Sequence, residues 1–197
     1  MSMNPKSRRQ DDAETTKKAL LKRAQYLFAE EGYAKTSIDE IVKQEQLTKG
    51  ALYYHFKDKK TLFEKVVDGL LEEMVKYVSS AIDTEIDPWE RTLIAIEAYL
   101  EGCLNHTYRH IVIQEAPVIL GWTKWREKEK HSVMGLSTVL IRELMESKYI
   151  KKQSVDLLAY IMFGAITEAA IVIAHSDDPN EARKQAKDVL EKMVRAL

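Results

Sequence analysis

A single cysteine, Cys103, stands among 197 residues, which excludes an intramolecular disulfide and any cysteine-built zinc site and fits a reducing cytoplasm. The N-terminus carries no apolar signal region, so nothing in it points to export. Neither a glycine-rich phosphate loop nor an HExxH pair is present, and no segment alternates apolar and polar residues as a half-buried strand would. Repeats and low-complexity tracts are missing too. The longest apolar stretch, residues 157 to 174, falls short of the roughly 20 residues a bilayer requires. Thr167 and Glu168 interrupt it, so it reads as a buried helix and no membrane contact is expected.

Net charge is scarce as well, at −1, but it is unevenly placed. Residues 1 to 66 hold 14 Lys and Arg against 10 Asp and Glu, whereas residues 67 to 197 hold 16 against 21. The front of the chain is therefore basic and the remainder acidic, an arrangement suited to nucleic acid at the front. With 45% hydrophobic residues, the chain can build one small and one medium domain.

Apolar residues recur at helical spacing throughout, giving an all-α fold class with about nine helices. The informative stretch runs from Thr36 to Leu62. Ile38, Ile41 and Val42 form the inner stripe of a short helix, with Ser37 as its N-cap and Glu40 three residues on. After a polar turn, Thr48 caps a second helix whose Ala51, Leu52 and Phe56 face inward. The opposite face carries Lys49, Gly50, Tyr53, Tyr54 and His55. A helix that enters a DNA major groove needs such residues: a small one for close approach, donors for base edges and phosphates, and rigid tyrosines. Asp58 caps the next helix, behind Lys57 and beside Lys59 and Lys60. The plainer reading is an amphipathic hairpin with a solvated basic face.

These residues carry a resemblance. Thr36, the run Leu52, Tyr53, Tyr54, His55 and Phe56, and then Lys59, with Ala24, Phe28, Gly32 and Tyr33 upstream, are similar to the DNA-binding domain of the TetR family of transcriptional regulators over about residues 11 to 66. The resemblance implies that Thr36, Tyr53, His55 and Lys59 hold phosphates while Thr48, Lys49, Gly50 and Tyr54 approach base edges. One departure is Glu45-Gln46 where the family usually has Ala-Gly, so Gln46 is expected in a left-handed conformation at about 1 kcal/mol.

Three segments follow: a flexible basic tail over 1–10 with Lys6, Arg8 and Arg9, a helix-turn-helix domain over 11–66, and a helical effector-binding and dimerisation domain over 67–197. The first helix is expected from Asp11 to Glu31, with Gly32 ending it, and a long helix from Asp58 to about Ser80 bends near Gly69. Asp87 and Pro88 open another to His106, Tyr108 to Leu120 kinks at Pro117, and Thr123 to Ser147 reads as one helix. Residues 155 to 174 are apolar nearly all round and need cover on more than one side. Leu157, Ile161, Ala165, Ala169 and Val172, with Ala186, Leu190 and Met193 of the last helix, are the expected interface of a homodimer, which the family resemblance also implies. A two-fold dimer would read a palindromic operator in double-stranded DNA.

The family resemblance further implies a pocket for a small hydrophobic or amphipathic effector, and a repressor released by it. Candidate lining residues are Tyr99, Cys103, His106, Tyr108, Trp122, Trp125, Met134, Tyr160, Phe163 and Glu168. Aromatics and methionines at helical spacing are more often plain core than pocket wall, and Glu168 pairs with a cationic ligand or, the favoured reading, with an Arg across the dimer. Two alternatives stand beside this. A regulator without an effector, governed by a protein partner or by its concentration, predicts a filled core and an exposed apolar patch. A helical metalloenzyme would use His106 and His110 with Glu115 nearby, but a catalytic metal site needs three ligands in defined geometry, and neither an HExxH nor a glycine-rich phosphate loop accompanies them. No cofactor, no metal and no catalytic residue are expected.

Overall fold

Local capping chemistry sets where the first helices begin in the computed structural model, which describes the backbone of residues 5–197 and side chains from Asp11 onward. Residues 1–4, and the basic side chains of the expected tail, lie outside the described residues. Helix α1 (Pro5–Lys35) starts earlier than the expected Asp11 and takes up much of that tail. Its regular part stops at Gly32, where φ is 81°, a conformation that favours glycine. Helix α2 (Ile38–Gln44) opens with the expected capping box: Ser37 Oγ accepts the Glu40 N–H, and Glu40 accepts the Ser37 N–H. Gln46 is indeed left-handed, with φ 55°. Thr48 then caps α3 (Lys49–His55), and Asp58 caps α4 (Lys59–Ile82).

Leu20, Ala24, Phe28, Ile41, Leu52, Phe56, Leu62 and Phe63 are each at most 2% exposed, so a small three-helix core closes around the root of α4. Burying each large side chain there contributes about 1.5–3 kcal/mol, enough to hold α3 rigid. Helix α4 continues unbroken through Gly69 for 24 residues, roughly 36 Å at the usual rise. Its inner stripe passes from Leu62 in the small core to Val78 and Ile82 in the next domain.

The second domain is helical throughout. Asp87 caps α5 (Pro88–Cys103), with Pro88 in its first turn. Helix α6 (His106–Tyr108) runs into a π-helical stretch, Arg109–Glu115, and on into α7 (Ala116–Leu120). Sequence predicts a kinked α-helix there. The structure instead resets the hydrogen-bond register just upstream of Pro117, with the Ala116 N–H reaching Ile111 O five residues back. Proline removes one donor and crowds the carbonyl four residues earlier, and the widened turn accommodates both.

The expected helix from Thr123 to Ser147 is two: α8 (Trp122–Lys130) and α9 (Val133–Glu146). A Cβ on Gly135 would lie 2.7 Å from Lys130 O, so glycine is what allows α9 to start against the end of α8. Two closing helices follow, α10 (Val155–Ala174) and α11 (Pro179–Arg195). These breaks bring the described residues to eleven α-helices and one π stretch rather than nine helices.

Helix α10 spans 20 residues and is long and apolar enough, by length and composition, to cross a membrane, contrary to the shorter stretch expected. It packs on α5, α9 and α11. Leu158, Ala159, Met162, Phe163 and Ile166 are buried, while Leu157, Ile161 and Val172 are more than half exposed. Gly164 and Glu168 share that outer face. Helix α11 adds Val189 and Met193 to the exposed apolar surface. Leu190, expected at the interface, is 2% exposed and belongs to the domain's own core. Ala165, Ala169 and Ala186 are half-buried against that core.

Candidate nucleic-acid interface

Helix α3 is anchored by Leu52 and by Phe56 just beyond its end, and turns its other side outward. Thr48, Lys49, Gly50, Tyr53 and Tyr54 are exposed and contiguous, and His55 is half-buried at the edge. Tyr54 is 79% exposed, and its ring meets His55 edge to face at 4.9 Å. A Cβ built on Gly50 would touch only Thr48 Oγ1, at 3.7 Å. The fold itself therefore has no need of glycine there, and open space in front of the helix leaves room for another molecule's close approach. Lys49 is paired with Asp39 of α2 at 2.8 Å, and that bond holds its ammonium pKa above the ordinary value. Asp39 is an acid within the basic face that sequence reasoning missed, since the pairing depends on how α2 and α3 cross.

Two residues expected to hold phosphates have other duties. Thr36 is 1% exposed, and its hydroxyl donates to Gly32 O at 2.9 Å. Lys59 donates to Tyr33 O at 2.8 Å and to Thr36 O at 2.9 Å, with its ammonium 4.3 Å from the centre of the Tyr33 ring. Both residues bind backbone carbonyls where α1 ends, and Gly32 O accepts the Thr36 N–H as well. The same junction is gripped from the second domain, because Glu115 accepts the Tyr33 N–H. Lys124 and Lys128 of α8 add ion pairs to Glu64 of α4, at 2.5 and 2.9 Å.

The expected effector residues do not converge. Only Tyr99 and Phe163 line the apolar cavity of about 50 Å³ between α4, α5, α9, α10 and α11. Its other walls include Ala95, Val133, Leu136, Leu140 and Ile141; the helical spacing of the α9 residues was the available signal for them. Cys103 and Tyr108 are buried, and burial pushes the thiol up to about 12 and the Tyr108 hydroxyl well above its ordinary value. Met134 and Tyr160 border a separate recess with Lys130 and Asp156. Trp125 is buried with its indole N–H unpartnered, and Arg126 lies over the rings of Trp122, Trp125 and Tyr160. His106 and Trp122 are exposed, and Glu168 points away from the cavity on the outer face of α10. His106 stacks on His110 at 5.7 Å. Among the described residues no group of three His, Cys, Asp or Glu could hold a metal ion.

Residues 20–66 match the family described as bacterial regulatory proteins, tetR family, and residues 89–197 match the tetracyclin repressor-like C-terminal domain. The chain is 29% identical over 169 residues to the transposon Tn10 TetC protein of Escherichia coli, covering 86% of this chain and 85% of that one. A crystal structure of a TetR-family transcriptional regulator from Pectobacterium atrosepticum superposes with a TM-score of 0.78 at 34% identity, covering 95% of this chain and 96% of that one. RolR in complex with resorcinol shares the fold, with a TM-score of 0.71 at 17% identity over 93% of this chain and 89% of that one. Matched at both its DNA-binding and its helical C-terminal parts, this chain belongs to the TetR family of DNA-binding transcriptional regulators.

Proposed function

We propose that the protein is a cytoplasmic homodimeric repressor that reads a palindromic operator with α3 and leaves it when a small effector enters the helical domain. The observation that carries the DNA side is the outer face of α3, where Thr48, Lys49, Gly50, Tyr53 and Tyr54 are exposed over the fully buried Leu52. Thr48, Lys49, Gly50 and Tyr54 approach base edges, and Tyr53 and His55 hold phosphates. The dimer is supported by the stripe of Leu157, Ile161 and Val172, joined by Val189 and Met193, which stays exposed among the described residues. An apolar face of that kind on a two-helix surface suits a four-helix contact with a second copy. Ile161→Glu is expected to yield monomers that retain helicity and lose operator affinity.

Selection of bound fragments from genomic DNA tests the proposal. The expected product is a two-fold symmetric sequence with half-sites about one helical turn apart or slightly more; fragments without common symmetry overturn it. RolR, solved in complex with resorcinol, supports the effector side as a protein of this fold that binds a small ligand. One observation favours the second reading, a regulator answering to a protein partner or to its own concentration. The cavity, at about 50 Å³, is well below the roughly 300–1,000 Å³ of ordinary ligand sites. An effector must therefore widen it.

A further inference from the structure

The apolar cavity and a recess on the surface share two wall residues, Ile150 and Leu197. Inside that wall no charged side chain lines the cavity, and its hydroxyl groups are already engaged. Thr92 donates to Pro88 O at 2.8 Å, Ser137 to Val133 O at 3.0 Å, and the Tyr99 hydroxyl lies 3.3 Å from that of Thr167. Outside the wall the recess, of about 490 Å³, is bordered by Lys148, Lys151, Lys152 and Arg195. The three lysines are exposed and form no ion pair among the described residues, while Arg195 shares Glu191 at 2.8 Å. Such a cluster of cations is out of keeping with its surroundings, since residues 67 to 197 carry a net charge of −5.

We infer that this end of the domain binds a single-chain amphiphile with an anionic head, its alkyl tail passing between Ile150 and Leu197 into the cavity and its head resting among the four cations. An interior without a spare donor or charge rejects a polar group, so the head stays outside, where positive charge selects its sign. The dividing wall is also the easiest part of the cavity to move. Ile150 lies between α9 and α10 in a stretch without helix, its N–H reaches Leu144 O only at 3.4 Å, and Lys148 has φ 63°. Leu197 lies beyond the end of α11. Displacing these two side chains breaks no helix, and so a cavity of about 50 Å³ can open at low cost.

The inference deepens the effector reading, but binding can be measured without DNA. Calorimetry on the full chain with dodecanoate, dodecanol and dodecyltrimethylammonium separates tail from head. Dodecanoate is expected to bind, more weakly as salt rises, and the cationic amphiphile about tenfold more weakly or not at all. K151Q/K152Q is expected to weaken dodecanoate about fivefold, each exposed charge contributing a small factor, and to leave dodecanol unchanged. Ser137→Phe fills the cavity and is expected to abolish binding of both; if that variant does not fold, the exposed lysine pair still decides. Tighter binding of dodecanoyl coenzyme A than of dodecanoate assigns the head to an acyl thioester, and the reverse order to a free acid. No dodecanoate binding, equal binding of anionic and cationic amphiphiles, or indifference to K151Q/K152Q overturns the site. Binding that leaves the operator complex intact removes only the effector role, and loss of the site with operator binding intact leaves the DNA reading untouched.

Discussion

Glu115 accepts the Tyr33 N–H on both carboxylate oxygens, at 2.9 and 3.0 Å, across 82 positions of sequence. The acid ends the π-helical stretch of the second domain, and the amide follows the glycine that stops α1. A change in the winding of residues 109 to 115 therefore acts directly on the DNA-binding unit. Glu115→Ala is expected to destabilise the protein by about 1.5–3 kcal/mol, the usual range for a hydrogen bond to a charged group, and to alter operator affinity. Glu115→Gln should recover part of both. An unchanged urea midpoint in the alanine variant would remove the tether from the account.

Gly50→Ala separates folding from DNA binding. A methyl group there meets only Thr48 Oγ1, and alanine favours helix over glycine by about 0.5–1 kcal/mol. Thermal melting should show equal or higher stability, while gel-shift titration should show at least about tenfold weaker operator binding. Loss of stability instead would mean that the glycine serves the turn.

Lys59→Met tests the reassignment of a residue that sequence places on phosphate. The methionine cannot donate to Tyr33 O or Thr36 O, and a lost hydrogen bond from a charged donor costs about 1.5–3 kcal/mol. The expected result is a lower denaturation midpoint even without DNA. Unaltered stability with weakened binding would restore the phosphate role.

Glu129 supplies a pH dependence. It is 3% exposed, and burial raises its pKa to about 7, partly offset by Arg126 at 3.1 Å. Because the folded pKa lies above the unfolded one, the folded state holds this proton more tightly. The resulting stability is fully present below the ordinary carboxylate pKa, declines as pH rises, and is lost above about 7. Glu129→Gln keeps the shape without the ionisation. The variant's melting temperature should fall less between pH 5 and pH 8 than the parent's, the difference corresponding to at most about 3 kcal/mol. Parallel pH profiles would refute the assignment.

What sequence revealed and what it concealed divide along the range of the interactions. The caps at Ser37, Thr48, Asp58 and Asp87 depend on neighbours two or three residues away and were legible for that reason. The left-handed Gln46 followed from the family resemblance of the turn. The exposed face of α3 followed from the spacing of Leu52 and Phe56. The phosphate roles that the resemblance implies for Thr36 and Lys59 did not foresee their hydrogen bonds to backbone carbonyls at the end of α1, which nothing in residue type reveals. The break before α9 turned on one glycine meeting one carbonyl. Trp122, His106 and Glu168 have the chemistry of pocket residues, yet the rotation of each helix turned them outward. Leu190 went the other way for the same reason.

The lone thiol sits beneath Tyr99, 1% exposed, and carries its proton at any physiological pH because its pKa is about 12. Maleimides and peroxide require a reachable thiolate, so the folded chain withholds its sulfur from them. Alkylation of Cys103 then becomes a native clock for the loosening of α5, one that runs without an added dye or an engineered tag. Any ligand that tightens the helices around Tyr99 should slow it.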